Sequence, residues 1–309
     1  MGLRGSVRPG AGDRIPNLLD AREAQGSYLS EPSDHRERPC PLCGGFERKR
    51  VMERDGWQVV QCESCGMVFI GNQPLAYDAQ AADHDWVEDH SKEASRRKKD
   101  RPLLMFFSLL TRPFLRDATT RQYEHAVRWG RGGKLLDLGC GDGRTLALAA
   151  RKFEVMGVEL SAQAAAAAKA RVPDATILVG PVTQAAVPEG AFDMVTQFGY
   201  IEHEWQPKAS LKLAWRALKP GGILLTKTPN YASWNRSLMG ANWCGFHIPQ
   251  HVNYFTPATF GRMLREAGFE PLRRPLLDSL PTSDTLWMAA RKPAKESCAE
   301  RGGGEPPRT

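Results

Sequence analysis

The chain has no long hydrophobic run. Its longest strongly apolar uncharged stretch, Pro102 to Thr111 (PLLMFFSLLT), is about half of what a bilayer-crossing helix needs, so no transmembrane helix is expected. The opening residues MGLRGSVRPG hold no apolar core of a secretory signal, so a cytoplasmic protein is expected. They do match the myristoylation pattern at Gly2 and Ser6, a loose motif easily met by chance. No internal repeat is present. Of 7 cysteines in 309 residues, four stand in two close pairs and three (Cys140, Cys244, Cys298) are scattered, which excludes a disulfide framework and suggests a metal site plus free thiols. Disorder throughout is excluded by a 41% hydrophobic content. The net charge of +7 favours contact with anions without identifying one.

What is present falls into blocks. Residues 1–36 are rich in Arg, Gly, Pro and Ser without apolar periodicity, as are residues 294–309, and a disordered leader and tail are expected. Residues 37–71 surround the cysteine pairs. Residues 72–130 form a polar linker, a basic run at Arg96–Lys99, and helically spaced apolar positions from Leu103 to Leu115. This 103–115 stretch has three readings: a cap over a binding site, a peripheral contact with an anionic membrane surface, or a core helix with solvated basic ends. From 131 to 293 short apolar strands alternate with helices: strands at 134–138, 155–159, 176–179, 192–196 and 223–227, a turn at Lys219–Gly222, helices at 145–152, 162–171, 211–218 and 259–267, and a final strand at 284–291. Such alternation predicts an α/β fold with a parallel sheet.

Cys40-Pro-Leu-Cys43 and Cys62-Glu-Ser-Cys65 are separated by 18 residues, a spacing that brings four thiolates to the corners of a tetrahedron around zinc. Gly44 and Gly66 follow the pairs, where tight knuckles need an open backbone. Four cysteines leave no open coordination position, so Cys40, Cys43, Cys62 and Cys65 predict a structural zinc ribbon; a redox pair or chance pairing is the alternative. The ribbon could bind nucleic acid through Arg48, Lys49, Arg50 and Arg54, bind a partner, or only brace the fold.

The run Leu135-Leu-Asp-Leu-Gly-Cys-Gly-Asp-Gly143 ends the first strand of the alternating region, and Glu159 ends the second, 20 residues after Gly139. Glycines let the backbone approach a ligand, and an acid at the second strand's end suits ribose hydroxyls. Arg144 stands where a dinucleotide loop needs Gly or Ala, and no G-K-[ST] follows. Asp137 and Asp142 beside the loop would repel a pyrophosphate and welcome a cation. The ligand expected is a nucleoside with a positive charge and no phosphate.

At these residues the chain resembles the class I S-adenosylmethionine-dependent methyltransferases. The resemblance rests on Leu136–Gly143, Glu159, Phe192-Asp193-Met-Val195 and Leu218-Lys-Pro-Gly-Gly222, and covers roughly residues 133–292. It implies a Rossmann-like seven-stranded sheet whose last strand is antiparallel. It implies that Gly139 and Gly141 pass close to the methionine part of S-adenosylmethionine, that Asp137 sits near its amino group, and that Glu159 holds the ribose. The Asp that this family often places after the third strand is missing, since Pro181 and Val182 follow Gly180. No adenine contact is therefore assigned.

Methyl transfer needs alignment and, for a protonated acceptor, a base. Two histidines are candidates. His203 follows the fourth strand, and His251 lies in the loop Trp243-Cys-Gly-Phe-His-Ile-Pro-Gln-His-Val-Asn-Tyr-Phe-Thr256. That loop reads as an aromatic lid over an apolar acceptor; each histidine has the alternative of a structural hydrogen bond. Pro229-Asn230 could shape the acceptor pocket or merely a turn. The expected activity is methyl transfer to a small molecule such as a sugar or quinone. An RNA acceptor, or a non-catalytic zinc and cofactor-binding module, is the alternative.

Overall fold

The computed structural model describes residues 35–74, 118–272, 281 and 283–294. The readings for the leader, the 103–115 stretch and the residues after 294 lie outside them. Seven strands form one sheet: β6 (Gly133–Leu138), β7 (Phe153–Glu159), β8 (Thr176–Val179), β9 (Phe192–Phe198), β10 (Leu218–Pro229), β12 (Glu270–Pro271) and β13 (Thr285–Arg291), in the order β12-β13-β10-β9-β6-β7-β8. β8, β7, β6, β9 and β10 are mutually parallel, and β13 runs antiparallel to both β10 and β12. This is the expected Rossmann-like α/β sheet. The intervening helices are α1 (Ala118–Trp129), α2 (Arg144–Ala149), α3 (Ala162–Arg171), α4 (Pro207–Ala217), α5 (Trp234–Met239) and α6 (Pro257–Glu266).

Alternation along β6 explains why it reads as a continuous apolar run. Leu135 joins the core made with Ala126, Leu146, Ala149 and Ala168 of α1, α2 and α3. Leu136 and Leu138 join the core made with Leu211 and Ala214 of α4 and Phe260, Met263 and Leu264 of α6. A parallel sheet covered on both faces needs apolar side chains on both. Helix starts follow local chemistry: the Ser161 hydroxyl accepts the Ala164 N–H at 3.1 Å, and Thr256 and Thr259 form a reciprocal cap with Pro257 in the first turn.

One element departs from expectation. Lys219–Gly222 is not a turn ahead of the fifth strand but part of β10, which shifts register between Leu218 and Ile223. Gly221 takes φ 80°, and a Cβ on Gly222 would stand 2.9 Å from the Lys219 carbonyl, so two glycines absorb the irregularity within the strand.

The cysteine unit builds a second, four-stranded sheet from β2 (Arg48–Arg54), β3 (Trp57–Cys62) and β4 (Val68–Ile70). Its fourth strand comes from far along the chain: β11 (Asn253–Tyr254) pairs antiparallel with β4. A short pair, β1 (His35–Glu37) with β5 (Asn72–Pro74), closes the unit. Leu42, Met67 and Phe69 belong to the same core as Leu136, Leu211 and Phe260. Trp57, Val59, Val68 and Ile70 pack with Trp243, Phe246, Val252 and Tyr254.

Candidate active site and four-cysteine centre

The four sulfurs lie within 4.8 Å of one another. Cys40 Sγ is 3.5 Å from Cys65 Sγ, and Cys43 Sγ is 3.5 Å from Cys62 Sγ. Those separations are far beyond a disulfide bond and near the tetrahedral edge of about 3.8 Å that zinc–sulfur bonds of about 2.3 Å would give. Each pair sits on a knuckle closed by a backbone bond, Gly44 N–H to Cys40 O and Gly66 N–H to Cys62 O, with Gly44 at φ 79° and Gly66 at φ 73°. Burial raises the Cys40 and Cys65 thiols. At Cys43 burial is outweighed by the Gly45 N–H and the neighbouring thiols, which bring it down to about 7. The donor set and spacing fit a closed four-thiolate ion.

β6 and β9 are adjacent and parallel, so the loops that follow them open at the same edge of the sheet. Asp137 faces Thr196 across this pair and accepts its hydroxyl at 2.7 Å. The carboxyl is almost fully buried, and burial, opposed by Thr196 and reinforced by Glu159, pushes it up to about 7. Gly139, Gly141 and Gly143 all take positive φ. A Cβ on Gly139 would stand 2.7 Å from the Tyr200 ring, whereas one on Gly141 would meet nothing within 4 Å. Glu159 reaches over the loop: Oε2 accepts the Gly141 N–H at 2.7 Å and Oε1 the Ser161 N–H at 3.0 Å. The loop is thus open above Gly141 and held by the Glu159 carboxylate, while the buried Asp137 carboxyl, whose ionisation burial disfavours, stands two residues before Gly139. These residues fit a cationic nucleoside. Cys140 is buried, its sulfur occupying the space that a Cβ on Gly157 would need, and it packs as expected.

The loop after β9 folds onto the glycine loop through Tyr200, whose hydroxyl donates to Glu204. Glu202 is almost fully buried, and burial pushes its carboxyl up to about 7. The rings of His203 and His251 meet edge to face with centroids 4.7 Å apart, and the donor atoms of Glu202, His203 and His251 lie within 4.8 Å of one another. His251 Nδ1 is 2.9 Å from the Gly245 carbonyl. A carbonyl only accepts, so Nδ1 carries the proton of this bond. The structure therefore brings together two histidines that stand 48 positions apart.

One other expectation is corrected. The aromatics around His251 are not a lid: Trp243, Phe246 and Tyr254 are buried against the cysteine unit because β11 is annexed by its sheet. Asn230 is a buried turn residue, donating to Ser283 O and accepting the Ala232 N–H. Of the basic side chains on the cysteine unit, Arg48 bonds Glu37 and two carbonyls, Arg50 bonds Glu53, and Arg54 bonds Ala241 O.

Three residues escaped sequence reasoning. Arg38 is 3% exposed and donates to Val252 O, Trp205 O and Asn253 Oδ1. Asn253 is 1% exposed and donates to Ile201 O and Glu204 O. Asp284 gathers Ser233, Asn235 and Trp243 at 2.6–2.9 Å and so shapes the start of the same loop. Their partners lie 41 to 215 positions away, beyond the reach of any local motif.

A methyltransferase domain family matches residues 110–273, just over half of the chain. A probable S-adenosylmethionine-dependent methyltransferase of Mycolicibacterium smegmatis is 29% identical over 152 residues, 48% of this chain and 56% of that protein. Ubiquinone biosynthesis O-methyltransferases of Idiomarina loihiensis and Thiobacillus denitrificans are 31% and 32% identical, over 46% and 45% of this chain. The chain spans 63% and 65% of their respective lengths. Among solved structures, a SAM-dependent methyltransferase of Thermotoga maritima covers 61% of this chain and 94% of its own at 21% identity and TM-score 0.45. Phosphoethanolamine N-methyltransferase 2 of Haemonchus contortus, solved with S-adenosyl-L-methionine, covers 56% of this chain and 52% of its own at 19% identity and TM-score 0.47. Sheet order, glycine cradle and family match agree: the chain belongs to the class I S-adenosylmethionine-dependent methyltransferases.

Proposed function

We propose that the protein methylates a hydroxylated small molecule, with Asp137, Gly139, Gly141 and Glu159 holding the cofactor, His203 and His251 handling the acceptor's proton, and Cys40, Cys43, Cys62 and Cys65 holding a structural zinc. The observation that carries this reading is the contact of the His203 and His251 rings at the sheet edge where the glycine cradle opens. S-adenosylmethionine supplies the electrophilic methyl carbon. The Asp137 carboxylate would receive the cofactor's ammonium group, Glu159 would accept from the ribose hydroxyls, and the backbone at Gly141 would let the nucleoside lie close. His203 would take the proton released from the acceptor oxygen as its bond to the methyl carbon forms and the carbon–sulfur bond breaks, leaving S-adenosylhomocysteine, and His251, fixed through Nδ1 by Gly245, would orient it. The catalytic domain is taken as 131–293 and the ribbon as 37–71.

The ubiquinone O-methyltransferase relatives support an oxygen acceptor on a quinol-like or other small metabolite. The internal bonds of Arg48, Arg50 and Arg54 favour such an acceptor over RNA.

The test is release of S-adenosylhomocysteine with a panel of catechols, hydroquinols and sugars, run beside total RNA. A small-molecule hit is expected. His203→Gln is expected to lower kcat on that hit by about 10²–10⁴-fold with cofactor affinity unchanged. Turnover on RNA alone would overturn the acceptor class, and an unaltered kcat would remove His203 from the chemistry.

A further inference from the structure

The bonds of Arg38 converge on both segments that carry the candidate histidines. Its Nη1 donates to Val252 O at 2.9 Å, and its Nη2 to Trp205 O at 2.8 Å and to Asn253 Oδ1 at 3.0 Å. Asn253 passes the connection on, its Nδ2 donating to Ile201 O at 3.1 Å and Glu204 O at 2.7 Å. The backbone N–H groups of Val252 and Asn253 both donate to Glu202 O. The carbonyls of 201, 202 and 204 are therefore tied on either side of His203 by residues that begin immediately after His251, and the carbonyl of 205 by Arg38 itself. Arg38 itself stands two residues before Cys40, its carbonyl is held by Arg48, and its guanidinium lies 4.9 Å from the Trp205 ring centroid and 5.7 Å from that of Phe69 in β4. A guanidinium is suited to this because its planar fork offers several donors in fixed directions.

We propose that Arg38 and Asn253 are positioning residues that couple the four-cysteine unit to the His203–His251 pair. Without the fork, the Trp205 carbonyl and the Asn253 side chain lose a buried partner, and the two histidine segments lose their common anchor. Neither residue touches the acceptor; each acts through the backbone that carries a histidine. The inference rests on the acceptor-side reading of those histidines, but its primary readout does not.

The experiment uses the full zinc-loaded chain labelled at histidine ring carbons, with the His203 and His251 resonances assigned by single replacement. Arg38→Met is expected to shift or broaden both resonances and to leave S-adenosylmethionine affinity within twofold by calorimetry. Turnover on an accepted substrate should fall roughly ten- to hundredfold, mostly in kcat, as a displaced catalytic group requires. Arg38→Lys, which keeps the charge but not the fork, is expected to lie between. Should Arg38→Met fail to fold, the lysine variant decides alone: shifted resonances with intact cofactor binding support the coupling, and unmoved resonances overturn it. Unmoved resonances in a folded Arg38→Met overturn it equally. Shifted resonances in a variant that keeps full turnover would leave the coupling standing and refute the proton-handling role of the histidines instead.

Discussion

Asp137 is a carboxyl placed where ionisation is unfavourable, 3% exposed and held up to about 7 by burial, with only the Thr196 hydroxyl opposing. In the free protein its protonated form is therefore favoured up to about neutral pH, and an ammonium group brought beside it would favour the anion. Complex formation should therefore expel a proton. Affinity for S-adenosylmethionine should rise as pH increases through about 7, and fall by up to about tenfold per unit below it. Calorimetry in buffers of different protonation enthalpy measures that proton directly, and Asp137→Asn should abolish the buffer dependence. Glu159 is different: its two oxygens already accept the Gly141 and Ser161 N–H groups, so it orders the loop, and the ribose contact proposed for it would add to that role. Glu159→Ala should weaken cofactor binding strongly, by roughly 2 kcal/mol or more, since charged hydrogen bonds of this kind contribute about 1.5–3 kcal/mol each. An unchanged dissociation constant in that variant would refute the ribose assignment.

At the scale of elements, the glycine loop shows why its spacing could be recognised without a structure. Gly139 has φ 76° and the Tyr200 ring over its Cα, so Gly139→Ala meets both strain and a clash. It should lower the thermal midpoint by several degrees and displace Tyr200, which a fluorescence or near-ultraviolet dichroism change would register. Asp193 and Lys219, part of the family resemblance, are also local in cause. The Asp193 carboxylate accepts the Lys134 N–H at 2.8 Å and the Lys219 ammonium at 2.8 Å, tying the starts of β6, β9 and β10 together. A Cβ on Gly133 would stand 2.2 Å from that carboxylate. Each of these requirements is met within one strand–turn–helix unit or by a neighbouring strand, so composition and spacing carry them. The aromatic loop misled for the opposite reason. Trp243, Phe246 and Tyr254 have the make-up of a ligand-facing lid, and only the pairing of Asn253–Tyr254 with Val68–Phe69 reveals that they face another part of the protein. Nothing adjacent to Arg38 or Asn253 announces their connection.

For the whole molecule, the cysteine unit and the large sheet share one core rather than meeting at a surface. Leu42, Met67 and Phe69 are as buried as Leu136 and Phe260 in the same cluster. Heating should accordingly give a single cooperative transition, and if the four cysteines hold zinc as proposed, a strong zinc chelator should lower the midpoint of the entire protein. Two separated transitions, with the sheet unaffected by chelation, would contradict the shared core. Phe69→Ala should cost about 3–5 kcal/mol, as for other fully buried phenylalanines, and denaturant titration followed by tryptophan fluorescence would show it.

The two-residue strand β11 also constrains the order of events on the ribosome. The edge of β4 is made early, but the backbone that completes it arrives only with Asn253, and Arg38 waits for a carbonyl 214 positions downstream. At typical translation speeds that interval is on the order of ten seconds or more. Throughout it the nascent N-terminal sheet carries an unpaired rim, the kind of surface on which chaperones and misassembled neighbours compete with the native strand.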